Sequence, residues 1–225
     1  MYADGCYYTD SQYGSQYFDP NGVWVQNSGW EDDGTRYRKS NGEYAKGWLQ
    51  VGTKWYYFDS NGYIKTGWVG DKGKWYYCSP HMITNAVRYD GNYAAYYYFD
   101  GYGVMKTSKG WVSLKYQNPN GSSSIYYFYV NSTDGKLAYR QWVQDGGKWY
   151  YFWPNMVKNQ WVSLDDGYSY FFGSDGAWTG EKYSDYSTSS SASGAVVEEP
   201  DIPEEMIATE SAFAASEDTI WYGID

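Results

Sequence analysis

The chain has 225 residues, of which 13 are Trp, 30 Tyr and 8 Phe against 4 Leu and 7 Ile, so its hydrophobic layers must be built from flat, amphipathic rings rather than from the aliphatic side chains of an ordinary core. The formal charge of -10 is confined to the end: residues 1–180 hold 16 acids and 16 bases, whereas residues 181–225 hold 11 acids and the single Lys182. A neutral body excludes the clustered basic face of a nucleic-acid binder, no run approaches the ~18 apolar residues of a membrane span, and two cysteines are too few to staple a fold.

Taken from the start, residues 1–10 show neither the basic start nor the apolar stretch of a signal peptide, which predicts a chain lacking its export signal. An internal repeat follows. Related blocks begin at Ser15 (SQYFDPNG), Thr35 (TRYRKSNG), Trp55 (WYYFDSNG), Trp75 (WYYCSPHM), Tyr96 (YYYFDGYG), Ile125 (IYYFYVNS), Trp149 (WYYFWPNM) and Ser169 (SYFFGSDG), at steps of 20, 20, 20, 21, 29, 24 and 20 residues. A Gly-Trp or Gln-Trp pair precedes most blocks by about seven residues, at Trp30, Trp48, Trp68, Trp111, Trp142 and Trp161.

Each unit predicts a β-hairpin, two short aromatic strands joined by turn residues such as GDKGK or QDGGK. The Asn-Gly or Asp-Gly that follows, at Asn21-Gly22, Asn41-Gly42, Asn61-Gly62 and Asp175-Gly176, supplies the positive φ of a turn towards the next unit. A lone hairpin is marginal in water, so the units must bury their aromatic faces on one another. The expected fold is an all-β hairpin solenoid of about eight ~20-residue repeats, imperfect at its ends. The units at Trp75 and Trp149 replace the Asn-Gly turn with Pro-x-Met, which predicts a tighter connection, and NPNGSSS (118–124) and NSTDG (131–135) lengthen one hairpin.

Residues outside the aromatic pattern carry little chemistry. Cys6 and Cys78 lie more than three repeats apart, beyond the ~7 Å Cα limit for a disulfide, so two free thiols are expected. Cys78 stands where other blocks have Phe58, Phe99, Phe128 and Phe152, which makes it a core residue. His81 has no second ligand at metal spacing, and Asp32-Asp33 and Asp165-Asp166 fall in turns, where Asp is expected for backbone reasons. No catalytic residue, metal or cofactor is expected.

The segments GWVGDKGKWYYC and QWVQDGGKWYYFWPNM resemble the choline-binding or cell-wall-binding repeat family, which includes the glucan-binding repeats of extracellular glucansucrases and, more distantly, the receptor-binding repeats of large clostridial toxins. The resemblance spans roughly residues 7–183. It implies shallow sites between hairpins, each lined by the Trp of the Gly-Trp marker, aromatics of the Trp-Tyr-Tyr block and an aromatic of the next unit. Three cages follow: Trp48, Trp55 and Tyr57 with Trp68; Trp68, Trp75 and Tyr77, where Ala86-Val87 stands in place of the next Gly-Trp; and Trp142, Trp149 and Tyr151 with Trp161. The blocks at Thr35 and Ile125 lack the second Trp.

A quaternary ammonium over such faces gains about 0.5–2 kcal/mol per ring, so three rings give roughly millimolar affinity, raised by multivalency on a polymer. Sugar rings stack on the same faces. The implied function is a non-catalytic attachment module of a secreted bacterial surface protein, holding choline-bearing teichoic acid, glucan or another glycan. The alternative is a spacer or protein-docking module that meets a protein partner through its tail or enlarged loops.

After Lys182 the composition turns to YSDYSTSSSASG, so the repeat domain is expected over 1–183, a Ser-rich acidic linker over 184–200 and an acidic tail over 201–225. Ile202, Met206, Phe213 and Ile220 recur at steps of 4, 7 and 7, the spacing of an amphipathic helix, while the acidity equally suits a solvated tail. Trp221 and Tyr222 fit a short docking element, on a partner or on the solenoid.

Overall fold

The computed structural model describes residues 29–184 except 32, 33, 40 and 119, together with the strand backbones 6–10, 14–18, 24–25 and 220–222. The chain divides into two compact units, Met1–Ile83 and Thr84–Asp225. In the first, the strands are β1 (Cys6–Asp10), β2 (Gly14–Phe18), β3 (Trp24–Val25), β4 (Gly29–Trp30), β5 (Tyr37–Arg38), β6 (Gly47–Val51), β7 (Lys54–Phe58), β8 (Gly67–Asp71) and β9 (Lys74–Cys78). The second holds β10 (Ala86–Asp90), β11 (Ala95–Phe99), β12 (Gly110–Gln117), β13 (Ser123–Val130), β14 (Gln141–Asp145), β15 (Lys148–Phe152), β16 (Gln160–Ser163), β17 (Tyr168–Phe172), β18 (Trp178–Ser184) and β19 (Ile220–Tyr222). The described residues contain strands and turns and no helix.

Every ladder is antiparallel, and the eight sequence blocks are the second strands of eight hairpins, β1–β2, β4–β5, β6–β7, β8–β9, β10–β11, β12–β13, β14–β15 and β16–β17. The all-β hairpin expectation holds. Both residues of the tips Lys72-Gly73 and Gly146-Gly147 have positive φ, the twist that matches two-residue turns to their strands.

Within each unit, consecutive hairpins are joined by backbone. After each hairpin a short segment bridges back to the end of its own second strand, at Phe58↔Ile64, Cys78↔Met82, Phe99↔Met105, Val130↔Leu137 and Phe152↔Met156. The same segment reaches the previous hairpin: the N–H of Ile64 donates to Thr35, Met82 to Trp55, Leu137 to Tyr96 and Met156 to Tyr127, at 2.7–2.8 Å. In the standard turn, Asp59 Oδ1 accepts the N–H of Asn61 and Tyr63 at 2.8 and 2.9 Å, and Asp100 serves Tyr102 and Val104 likewise. Gly62 completes it at φ +85°, where a Cβ would stand 2.8 Å from Tyr44 Cβ. The Pro-x-Met units are shorter, closing with Ser79 N–H to His81 O at 2.8 Å and Trp153 N–H to Asn155 O at 2.9 Å.

The core of each unit includes the residues that close the hairpins' second strands. Phe58 and Cys78 in the first unit, and Phe99, Val130, Phe152 and Phe172 in the second, are fully buried at the ends of their strands. Cys78 is a free thiol, and burial pushes its pKa up to about 12. The side chain of Cys6 lies outside the described residues.

Two expectations need correction. The block placed at Ile125 begins at Tyr127, because Trp111 pairs with Tyr129 as Trp142 pairs with Tyr151, and Met156 reaches Tyr127 as Met82 reaches Trp55. Val130, rather than Phe128, is therefore the counterpart of Phe58. A shift of two residues keeps every side chain on its own face, so aromatic alternation could not detect it. The second concerns the tail: Ile220, assigned to a helical stripe, lies in β19, which pairs with β10. The rest of that stripe, and the linker from 185, lie outside the described residues.

Candidate aromatic ligand sites

In a hairpin, opposed residues and residues two apart share a face. Trp48 opposes Tyr57 and Gln50 opposes Trp55, so Trp48, Trp55 and Tyr57 lie on one face of β6–β7. The same register gathers Trp68, Trp75 and Tyr77 on β8–β9, and Trp142, Trp149 and Tyr151 on β14–β15. The opposite faces carry Phe58, Cys78 and Phe152, which are buried. A single alternation thus separates core from candidate site.

Within each triad the rings meet edge to face. Trp48 lies 5.1 Å from Tyr57, Trp68 is 5.5 Å from Tyr77 and 6.3 Å from Trp75, and Trp142 is 5.6 Å from Tyr151 and 6.4 Å from Trp149. The leading Trp of each block turns outward, with Trp55, Trp75 and Trp149 exposed by 40, 49 and 41%. Trp75 can lie flat over its cross-strand neighbour because that neighbour is Gly70: a Cβ there would stand 3.3 Å from the indole. Tyr77 and Tyr151 are buried, so they form floor rather than rim.

The marker tryptophans have a second task. Trp30 packs on Tyr56 at 4.8 Å, Trp48 on Tyr76 at 5.0 Å, Trp111 on Tyr150 at 4.9 Å and Trp142 on Tyr170 at 5.1 Å, each a Tyr of the following hairpin's other face. These edge-to-face contacts hold one hairpin to the next. Trp161 does not close the third triad; it stacks on Phe171 and Tyr183 at 5.3 and 4.9 Å. Trp178 of β18 stands there instead, 6.0 Å from Trp142.

The corrected phase reveals a fourth grouping that sequence reasoning missed. Trp111, Tyr127 and Tyr129 share a face, with Trp111 5.3 Å from Tyr129 and Tyr127 exposed by 37% in the position of Trp149. The Lys158 ammonium stands 5.8 Å over Tyr127, and Lys65 stands 6.0 Å over Tyr57. Faces of this kind attract cations. No spacing in the sequence marked it, since Tyr127 lies 29 residues before Met156 against 27 between Trp55 and Met82.

Other polar groups are engaged structurally. Asp166 accepts the Tyr168 N–H at 3.1 Å and the Tyr170 hydroxyl at 2.6 Å, which, with burial, pushes the Tyr170 phenol up to about 12. His81 lies against Tyr56, ring centres 6.1 Å apart. Asp32 and Asp33 lie outside the described residues. Among the described residues no three His, Cys, Asp or Glu side chains converge as a metal site would require.

A family model for the putative cell wall binding repeat matches residues 46–64, 66–80 and 141–154, the three hairpins whose block opens with an outward Trp. Among solved structures, the chain is similar to choline binding protein F from Streptococcus pneumoniae, with 31% identity over 79% of this chain and 56% of that chain and a TM-score of 0.42. It is similar to the modular autolysin LytC from Streptococcus pneumoniae, with 27% identity over 81% of this chain and 43% of that one and a TM-score of 0.41. A third similarity is to CbpJ from Streptococcus pneumoniae TIGR4, with 27% identity, 73% and 70% coverage, and a TM-score of 0.34. The chain spans about half the length of the first two proteins. No curated protein matches it. In the three matched hairpins the chain carries repeats of the choline-binding, cell-wall-binding family.

Proposed function

We propose that the chain is a non-catalytic attachment module of a secreted, cell-surface protein, and that it holds a choline-bearing cell-wall polymer on the outward faces of Trp55, Trp75 and Trp149. In each site the marker Trp48, Trp68 or Trp142 forms a wall and Tyr57, Tyr77 or Tyr151 the floor. Tyr127 with Trp111 and Tyr129 forms a fourth, phenolic site. The observation that carries this reading is the threefold recurrence of an outward indole beside two edge-packed rings. A trimethylammonium group needs no hydrogen-bond donor, and rings alone supply its attraction. Each site is weak, roughly millimolar, and a polymer spanning several raises retention by multivalency.

The test is a tryptophan fluorescence titration with choline, beside retention on choline-free walls and on insoluble α-glucan. Saturable quenching at millimolar choline is expected. Retention on glucan or bare wall without a choline response would reassign the same faces to sugar stacking, and silence on every polymer would overturn the attachment reading in favour of a docking module.

A further inference from the structure

β10 differs from the first strand of every other described hairpin. The others are edge strands: β6, β8, β12 and β14 each belong to a two-stranded sheet. β10 lies in the middle of the order β11-β10-β19, with Ala86 opposite Tyr222, Val87 opposite Trp221 and Arg88 opposite Ile220. Its sequence departs from the repeat in the same place. Ala86-Val87 replaces Gly-Trp, and Arg88 occupies the column held elsewhere by Val69, Val143 and Val162. Arg88 and Asp90 form an ion pair at 3.6 Å, with side chains only 2 and 3% exposed. Ala86, Val87 and Arg88 are all buried, so both faces of this strand are covered, whereas β6, β8 and β14 each hold at most one buried residue.

We propose that the outer edge of β10 is an acceptor for an extended strand, and that its occupant is the chain's own Ile220–Tyr222, folded back in cis as a releasable latch. An open edge of unpaired N–H and C=O groups is a template for another strand, and Ile, Trp and Tyr are strong strand formers. Three opposed residue pairs make a weak association between separate molecules. Here the strand belongs to the same chain, 35 residues after the end of β18, and covalent linkage raises the effective concentration of a partner, which favours the intramolecular strand over a second copy. The latch is independent of the ligand reading, since no triad residue takes part in it.

The test uses the full chain. Trp221→Pro removes a backbone donor in the middle of the ladder, and amide exchange across 86–90 should quicken about tenfold or more while exchange across 141–152 and the melting temperature stay unchanged. Unchanged exchange at 86–90 would overturn the proposal. A second measurement does not depend on that variant. In a Cys6→Ser background, the pairs Val87→Cys with Trp221→Cys and Ala86→Cys with Tyr222→Cys place cysteines at successive opposed positions, one of which is a close, non-hydrogen-bonded site. A disulfide within monomers is expected from one pair. A disulfide linking two copies would assign the edge to a swapped strand and overturn closure in cis, as would the absence of any cross-link.

Discussion

Two tryptophans of one triad share a face of β14–β15 yet behave differently, because only one of them packs against the following hairpin. Trp142 meets Tyr151, Tyr170 and Phe172 within 5.6 Å, whereas Trp149 meets Trp142 at 6.4 Å and is 41% exposed. Trp149→Ala should therefore leave the urea midpoint nearly unchanged and weaken choline retention. Trp142→Ala should cost about 3 kcal/mol of stability, since it empties a packed contact between two hairpins. Equal stability loss in both would refute this division of roles. Cys78 offers a second residue-scale check. With its thiol fully buried and its pKa pushed to about 12, it should resist alkylation in the native protein at pH 8 and react on unfolding.

The unit of construction is a hairpin plus the segment that hooks it to its predecessor. Asp59 holds that segment by accepting two backbone N–H groups, so Asp59→Ala should destabilise the protein by about 1–2 kcal/mol, read as a lower denaturant midpoint. The buried pair in β10 is more demanding. Asp90→Ala removes a carboxylate paired with the buried Arg88 guanidinium, and a loss of about 3 kcal/mol or more is expected from the same measurement. The repeat was legible in the sequence because the Trp markers and the Asn-Gly turns recur in phase. The phase of the long hairpin was not, since a two-residue slip preserves the pattern, and only the cross-strand partners of Trp111 resolve it.

At the scale of the molecule, a core that includes buried phenols ties stability to alkaline pH. Tyr97 and Tyr170 are pushed up to about 12, Tyr97 chiefly by burial and Tyr170 by its bond to Asp166, and Cys78 rises with them. These groups release protons more readily when unfolded, near pH 9 for the thiol and near pH 10 for the phenols. Their contribution is complete below pH 9 and is lost as pH rises towards 12, because the unfolded chain then binds fewer protons than the native one. Melting temperatures should hold steady from pH 7 to 9 and fall from 9 to 12, and a flat profile to pH 11 would contradict this account.

By itself the sequence determined the hairpin, its period, the turn chemistry and the set of aromatic residues from which a site can be made, because all of these depend on neighbours two to twenty residues apart. Tertiary structure decided the rest. Trp55, Trp75 and Trp149 face outward while Trp48 and Trp142 also pack on the next hairpin; Trp178 replaces Trp161 beside the third triad; and Ile220–Tyr222 is a strand on β10. Local propensity is nearly the same for all of these rings, and what separates wall, floor and core is which backbone lies opposite, a property of pairings made across the fold.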